Sequence, residues 1–271
     1  MQDTSGRHLD RMSWPDVQRQ AGRRGSTVLW PFGAIEQHGP HLPLGTDAIF
    51  AERVAEAVLS RLDPALPIWR LPLQSIGFSP EHEGFAGTLS LPAEWMIALV
   101  VSVGRNLAET GFQRLILFNA HGGQIGLLEV AARQLRATQP NLAVLPCFLW
   151  RGPEGIGELI PEPERSQGLH AGLAETSLML HLAPELTGSD RRADGPATEA
   201  PPGWSLEGAA PCAWLSREIS RSGVIGDPGG ADNVLGRQLF DRLVEGWRRR
   251  LEALLHSDWP GRATPDYDLT A

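Results

Sequence analysis

The chain has 271 residues, of which 42% are hydrophobic and 21% charged, and its formal net charge is −8. This is a globular composition, long enough for a substantial core, and its acidic balance argues against a nucleic-acid partner. All 24 residues in the Lys and Arg class are Arg, which excludes a P-loop lysine, a Schiff-base lysine and a Ser–Lys dyad.

The elements follow from the spacing of apolar residues. Residues 27–32 (TVLWPF) read as a buried strand. Residues 47–61 read as a helix, with Phe50, Ala51, Val54, Ala55 and Val58 on one face. A second, Pro-interrupted strand is expected over 67–76. Pro92 is expected inside the first turn of a helix with the stripe Met96, Leu99, Val100, Val103 and Leu107, ending near Gly111. Residues 115–118, 124–137 and 142–148 read as strand, helix and strand. Strands alternating with helices predict right-handed βαβ units, a parallel sheet, and helices on both faces.

Order weakens after Trp150. Residues 150–168 and 188–213 read as long loops around a helix over 171–182, and a last helix is expected over 231–255. The whole of 1–271 is expected to be one domain, with a core over about 14–256 and loose polar tails. The two cysteines, Cys147 and Cys212, make no disulfide framework. With no signal-type stretch and no membrane-length apolar run, a soluble, cytoplasmic protein without a membrane partner is expected.

In a parallel sheet, ligands bind beyond the carboxyl ends of the strands. The loop after the first strand carries Glu36, His38, His41 and Asp47. The loop after the second carries Ser79 and His82. The loop after the third carries His121, Gly122 and Gly123. Glu36, His38, Asp47 and His121 form a mixed carboxylate and imidazole set, suited to Zn, Mn or Fe(II). Asp47, where loop meets helix, is placed to bridge two cations. Taken singly, Asp47 also reads as a helix cap, His121 as a loop histidine, His41 as a packed residue and Glu36 as a solvated charge. Gathered at one sheet edge, they read as a metal centre.

The stretch PFGAIEQHGPHLPLGTD, residues 31–47, resembles the signature of the creatininase (creatinine amidohydrolase) family. GFSPEHEGFAGTLSL (77–91), FNAHGGQ (118–124), HAGLAETSLML (170–180) and GVIGDP (223–228) resemble its later blocks. The resemblance implies a three-layer α/β/α sandwich with a mostly parallel sheet and two divalent metal ions. It assigns Glu36, Asp47 and His121 to one ion and His38 and Asp47 to the other, with Asp47 bridging. In creatininase a glutamate two residues after the third-block histidine completes the second site, and a tyrosine precedes it. Here Gly122 and Gly123 stand in their places, and Glu175 is the expected replacement. His170 and Glu175 lie about 140° apart on a continuous helix, so they converge only if the helix starts after His170.

The expected activity is metal-assisted hydrolysis of a C–N amide bond. His170 and Glu175 are the expected catalytic groups, and Ser79, Gly122 and Gly123 the expected substrate contacts. The substrate is expected to be a small amide, with a peptide as an option. Family likeness offers creatinine, formamides or a terminal dipeptide of the mycofactocin precursor, and the glycine pair leans away from creatinine. A dimer-based homo-oligomer, up to a hexamer, is expected from the same likeness. The alternatives are a non-catalytic α/β ligand-binding protein, or an inactive family member acting as a subunit. The first would need a glycine fingerprint that GAIEQHG lacks.

Overall fold

The computed structural model describes residues 5–194 and 200–260. The strands are β1 (Thr27–Phe32), β2 (Ile68–Arg70), β3 (Arg114–Asn119) and β4 (Ala143–Phe148). The helices are α1 (Trp14–Ala21), α2 (Thr46–Ser60), α3 (Ala93–Thr110), α4 (Ile125–Thr138), α5 (Glu164–Gln167), α6 (Leu173–Leu182), α7 (Ser216–Ile219) and α8 (Asn233–His256).

All four strands run parallel, in the order β2-β1-β3-β4. Side chains alternate between the sheet's faces, so each strand feeds two cores. Leu29, Ile116 and Phe118 pack with residues of α2, α6 and α8. Val28, Trp30, Phe32, Leu115 and Leu117 pack with α3 and α4 on the opposite face. The result is the expected α/β/α sandwich.

Besides shifts of one or two residues at several ends, three features differ from the sequence reading. The second strand is only three residues long, because the segment that follows carries Pro72 and rejoins β1 at a single bridge, Phe32 to Gln74. Pro92 stands one position earlier than expected, as the cap residue before α3. Helix α1 was not anticipated, since a polar eight-residue helix with one buried side chain gives little periodicity. Gly111 ends α3 in the left-handed conformation (φ 108°), as its position suggested. Residues 1–4, 195–199 and 261–271, parts of the expected tails and of the 188–213 loop, lie outside the described residues. The described part of the N-terminal segment is not loose: Arg7 and His8 are buried, and the Arg7 guanidinium donates to the Ile68 carbonyl at 2.9 Å.

Register places the site. Phe32 pairs with Asn119 at the ends of β1 and β3, so the loops carrying Glu36 and His121 leave the sheet side by side. Gln124 ties three loops together. Its amide nitrogen donates to the Gly33 carbonyl at 3.1 Å and to Asn119 Oδ1 at 2.8 Å, and its Oε1 accepts from the Phe78 N–H at 3.1 Å.

Candidate metal centre

Glu36, His38, Asp47 and His121 meet at this edge, each almost wholly buried. Asp47 is the second residue of α2 and Gly45 is the cap, so the capping role is not its own. Its Oδ1 lies 3.6 Å from His38 Nε2 and its Oδ2 3.3 Å from His121 Nδ1. Glu36 Oε1 lies 3.2 Å from His121 Nδ1 and 3.9 Å from His38 Nε2. An ion with bonds of about 2 Å holds neighbouring ligand atoms roughly 3 Å apart, close to these separations.

The tautomers follow from the rear hydrogen bonds, since a carbonyl only accepts. His38 Nδ1 donates to the Glu36 carbonyl at 3.2 Å, and His121 Nε2 donates to the Phe78 carbonyl at 3.0 Å. Their other nitrogens therefore aim lone pairs at carboxylates. Glu36 Oε2, Asp47 Oδ2 and His38 Nε2 are buried without a hydrogen-bond partner. Lone pairs facing anions in a buried site require a cation or a proton between them. Protons serve when no ion is bound. Burial pushes His38 down, but Asp47, Glu175 and Glu36 carry it up to about 9. Burial likewise opposes protonation of His121, and Glu36, Asp47 and Glu81 overcome it. Burial would raise Asp47, yet the two histidines hold it well below the usual carboxylate range.

Glu175 is gathered with His38 and His170, with ligand atoms within 4.8 Å of one another. Helix α6 starts at Leu173, so His170 stands in the entering loop and the two side chains converge. Burial, with Asp47 and Glu36 adding to it, raises Glu175 to about 7 against the pull of His38. His170 Nε2 donates to the Gln37 carbonyl at 2.7 Å, which leaves Nδ1 unprotonated and 3.9 Å from Glu36 Oε1. Burial first, then His38 and His82, keep His170 well below its ordinary value.

Two further groups stand at the site: His82, named in the sequence reading but given no role there, and Glu81, which it did not name. His82 stacks on His170 with ring centroids 4.2 Å apart. Its Nδ1 accepts from Gln37 Nε2 at 2.9 Å, so Nε2 carries the proton and faces Glu36 Oε1 at 3.4 Å. Glu81 lies 3.3 Å from His121 Nε2. Both sit in the loop after the second strand, at the edge where ligands were sought, and that position was their only signal.

A cavity of about 210 Å³ opens on Glu36, Asp47, His82, His121, His170 and Glu175. Gly122 lines it, but Ser79 and Gly123 are not among its lining residues. Ser79 is fully buried, with its Oγ 3.2 Å from His121 Nε2, on the side of the ring away from Glu36 and Asp47. His41 stands apart, its Nε2 2.8 Å from Thr176 Oγ1. Trp150, Ile160, Glu207 and Trp214 bring the two long loops to the cavity wall.

A family model described as creatininase, creatinine amidohydrolase, matches residues 10–251. The chain belongs to the creatininase family. Similar proteins include the mycofactocin precursor peptide peptidase of Mycobacterium ulcerans, 38% identical over 227 residues that span 81% of this chain and 82% of that one. The creatinine amidohydrolase of Pseudomonas putida is 29% identical over 205 residues, 70% of this chain and 77% of that one. A solved structure described as creatininase Mn superposes with a TM-score of 0.72 at 25% identity, covering 93% of this chain and 99% of that chain. This creatininase-family chain is thus a hydrolase, and among its described residues no helix is long and apolar enough to cross a membrane.

Proposed function

We propose that this chain is a metal-dependent amide hydrolase acting on a peptide. The observation that carries the metal reading is the set of buried, unpartnered atoms on Glu36, Asp47 and His38, at ligand spacing around one cavity. Glu36, Asp47 and His121 would hold one divalent ion, and His38, Asp47 and Glu175 the other, with Asp47 bridging. Zn, Mn and Fe(II) all suit such donors. The ions would supply a polarised carbonyl and an acidified water.

The protein groups supply the proton transfers. His170 Nδ1 has a lone pair directed at the cavity, and its rear N–H is fixed on the Gln37 carbonyl. It takes the proton of the attacking water and returns it to the leaving nitrogen. His82 offers the only N–H among the four imidazoles facing Glu36, and holds that carboxylate in place. Trp150, Trp214 and Ile160 give the cavity wall its apolar surface.

Peptide rather than small amide is the better reading of the substrate. The mycobacterial relatives are named as peptidases, and Gly122 leaves the cavity floor without a side chain. A peptide bond thus takes the place of the small-molecule amide bond expected from the sequence. A dimer-based homo-oligomer belongs to the same reading and rests on family likeness, while a cytoplasmic location rests on the sparse cysteines.

The test is metal analysis of the purified protein, followed by mass spectrometry of precursor-type peptides incubated with it. Close to two ions per chain and a peptide shortened at one bond are expected. A metal-free protein that still cuts the peptide overturns the metal reading. A metal-loaded protein that spares peptides but opens creatinine or a formamide overturns the substrate reading.

A further inference from the structure

Position 123 is where the resemblance places a glutamate, and here it is glycine. Its φ is not positive, so nothing in the backbone demands glycine. Room does. A Cβ on Gly123 would overlap Glu81 Oε1 and come within 2.7 Å of His121 Nε2. At Gly122, by contrast, the nearest atom to such a Cβ is Glu207 Oε1 at 3.9 Å, which is ordinary contact. The space belonging to side chain 123 is thus filled by a carboxylate from another loop.

That carboxylate is not idle. Glu81 Oε1 lies 3.3 Å from His121 Nε2, beside the Phe78 carbonyl at 3.0 Å and Ser79 Oγ at 3.2 Å. The opposite nitrogen of the same ring faces Glu36 and Asp47. We infer that Glu81 is a positioning residue for His121, its negative charge lying beside the rear N–H that the Phe78 carbonyl accepts and so strengthening Nδ1 as a donor, and that Gly123 is glycine to admit it. A carboxylate behind a ligating imidazole fixes the tautomer and the ring plane and makes the ligand more basic. The inference rests on the metal-hydrolase reading.

Four variants test it: Glu81→Gln, Glu81→Ala, Gly123→Ala, and the last two combined. Each is purified, freed of metal and titrated with Zn²⁺ against a chelator, and its Co²⁺ absorption spectrum and urea midpoint are recorded. Glu81→Gln keeps the shape and the urea midpoint. It weakens one of the two ions about 10- to 100-fold, leaves the other unchanged and alters the Co²⁺ spectrum. Gly123→Ala lowers the urea midpoint through overlap with Glu81. The double variant recovers part of the midpoint, because the overlap with Glu81 is gone while the 2.7 Å approach to His121 Nε2 remains, and it keeps the weak ion of Glu81→Ala. A purely steric role for Glu81 leaves the Co²⁺ spectrum and affinities of Glu81→Gln at wild-type values, and that result overturns the inference. A double variant no more stable than Gly123→Ala overturns the pairing of the two residues. Wild-type protein that takes up no Zn²⁺ overturns the metal reading itself, a separate failure seen before any variant is compared.

Discussion

The carboxylate of Glu164 receives the first backbone N–H of α6, that of Leu173, at 2.7 Å. Its other oxygen accepts from the Asp227 N–H at 2.7 Å. A buried carboxylate is tolerable here because two backbone donors and the positive end of a helix face it. Glu164 thereby joins the 150–168 segment, the helix bearing Glu175 and the GVIGDP block. Glu164→Ala leaves both N–H groups unpaired and is expected to cost about 2–4 kcal/mol, read from urea unfolding. Glu164→Gln keeps one acceptor and should lose about half of that. Equal stability of wild type and Glu164→Ala removes this joint from the account.

Much of this was legible in the sequence. Strands β1 and β3 are continuous apolar runs and helices α2 and α4 have a clean period, and each is bounded by a loop of site residues. The site was legible because a parallel sheet sends every strand end to one edge, so Glu36, Asp47 and His121 could be grouped without coordinates. Glu81 was not legible. Its role depends on the empty side chain of Gly123, a steric fact between residues 42 positions apart. Loop position alone cannot separate such a group from Glu83, the next acid in the same loop. Glu164 was hidden in the same way, since its partners are backbone groups, which leave no pattern in side-chain identity.

Asp47 should govern both ions and His38 one. A carboxylate oxygen faces each of His38 and His121, whereas the His38 imidazole offers a single free nitrogen. Asp47→Ala is therefore expected to abolish both metal equivalents, and His38→Ala to lose mainly one. Metal analysis of the folded variants decides between them. Full occupancy in Asp47→Ala would falsify the bridge. Loss of one equivalent in each variant makes Asp47 a terminal ligand.

Cys147 should be an unreactive thiol. It lies half-buried on edge strand β4, at the wall of a cavity, and the packing around its sulfur pushes its pKa up to about 12, although Arg250 pulls the other way. The thiolate is the nucleophile, so at pH 8 almost none is present. Iodoacetamide at pH 8 should leave Cys147 unmodified in the native protein and modify it after unfolding in urea. Peptide mapping reads the difference, and equal labelling in both states contradicts the burial argument.

His41 should make the protein acid-sensitive. Its side chain is buried beneath Thr176, and Nδ1 has no hydrogen-bond partner. Burial first, then Arg191 and His38, lower its pKa from 6.5 to about 4. The unfolded chain therefore binds more protons than the folded one between these values. Stability rises with pH where the unfolded state holds the extra proton. The His41 contribution is complete above about pH 6.5, falls as the pH drops through that window, and levels off below about 4. The loss amounts to no more than about 3 kcal/mol at 1.36 kcal/mol per pH unit. Urea midpoints from pH 7.5 to 4 measure it, with His41→Gln as the comparison, since Gln retains a hydrogen bond to Thr176 but does not titrate. The variant should be less stable than wild type at pH 7.5 and should close the gap towards pH 4, as wild type loses a term the variant never had. Parallel curves across the window would assign the acid sensitivity to other groups, and His82 and His170, both also lowered by burial, would be the next to replace.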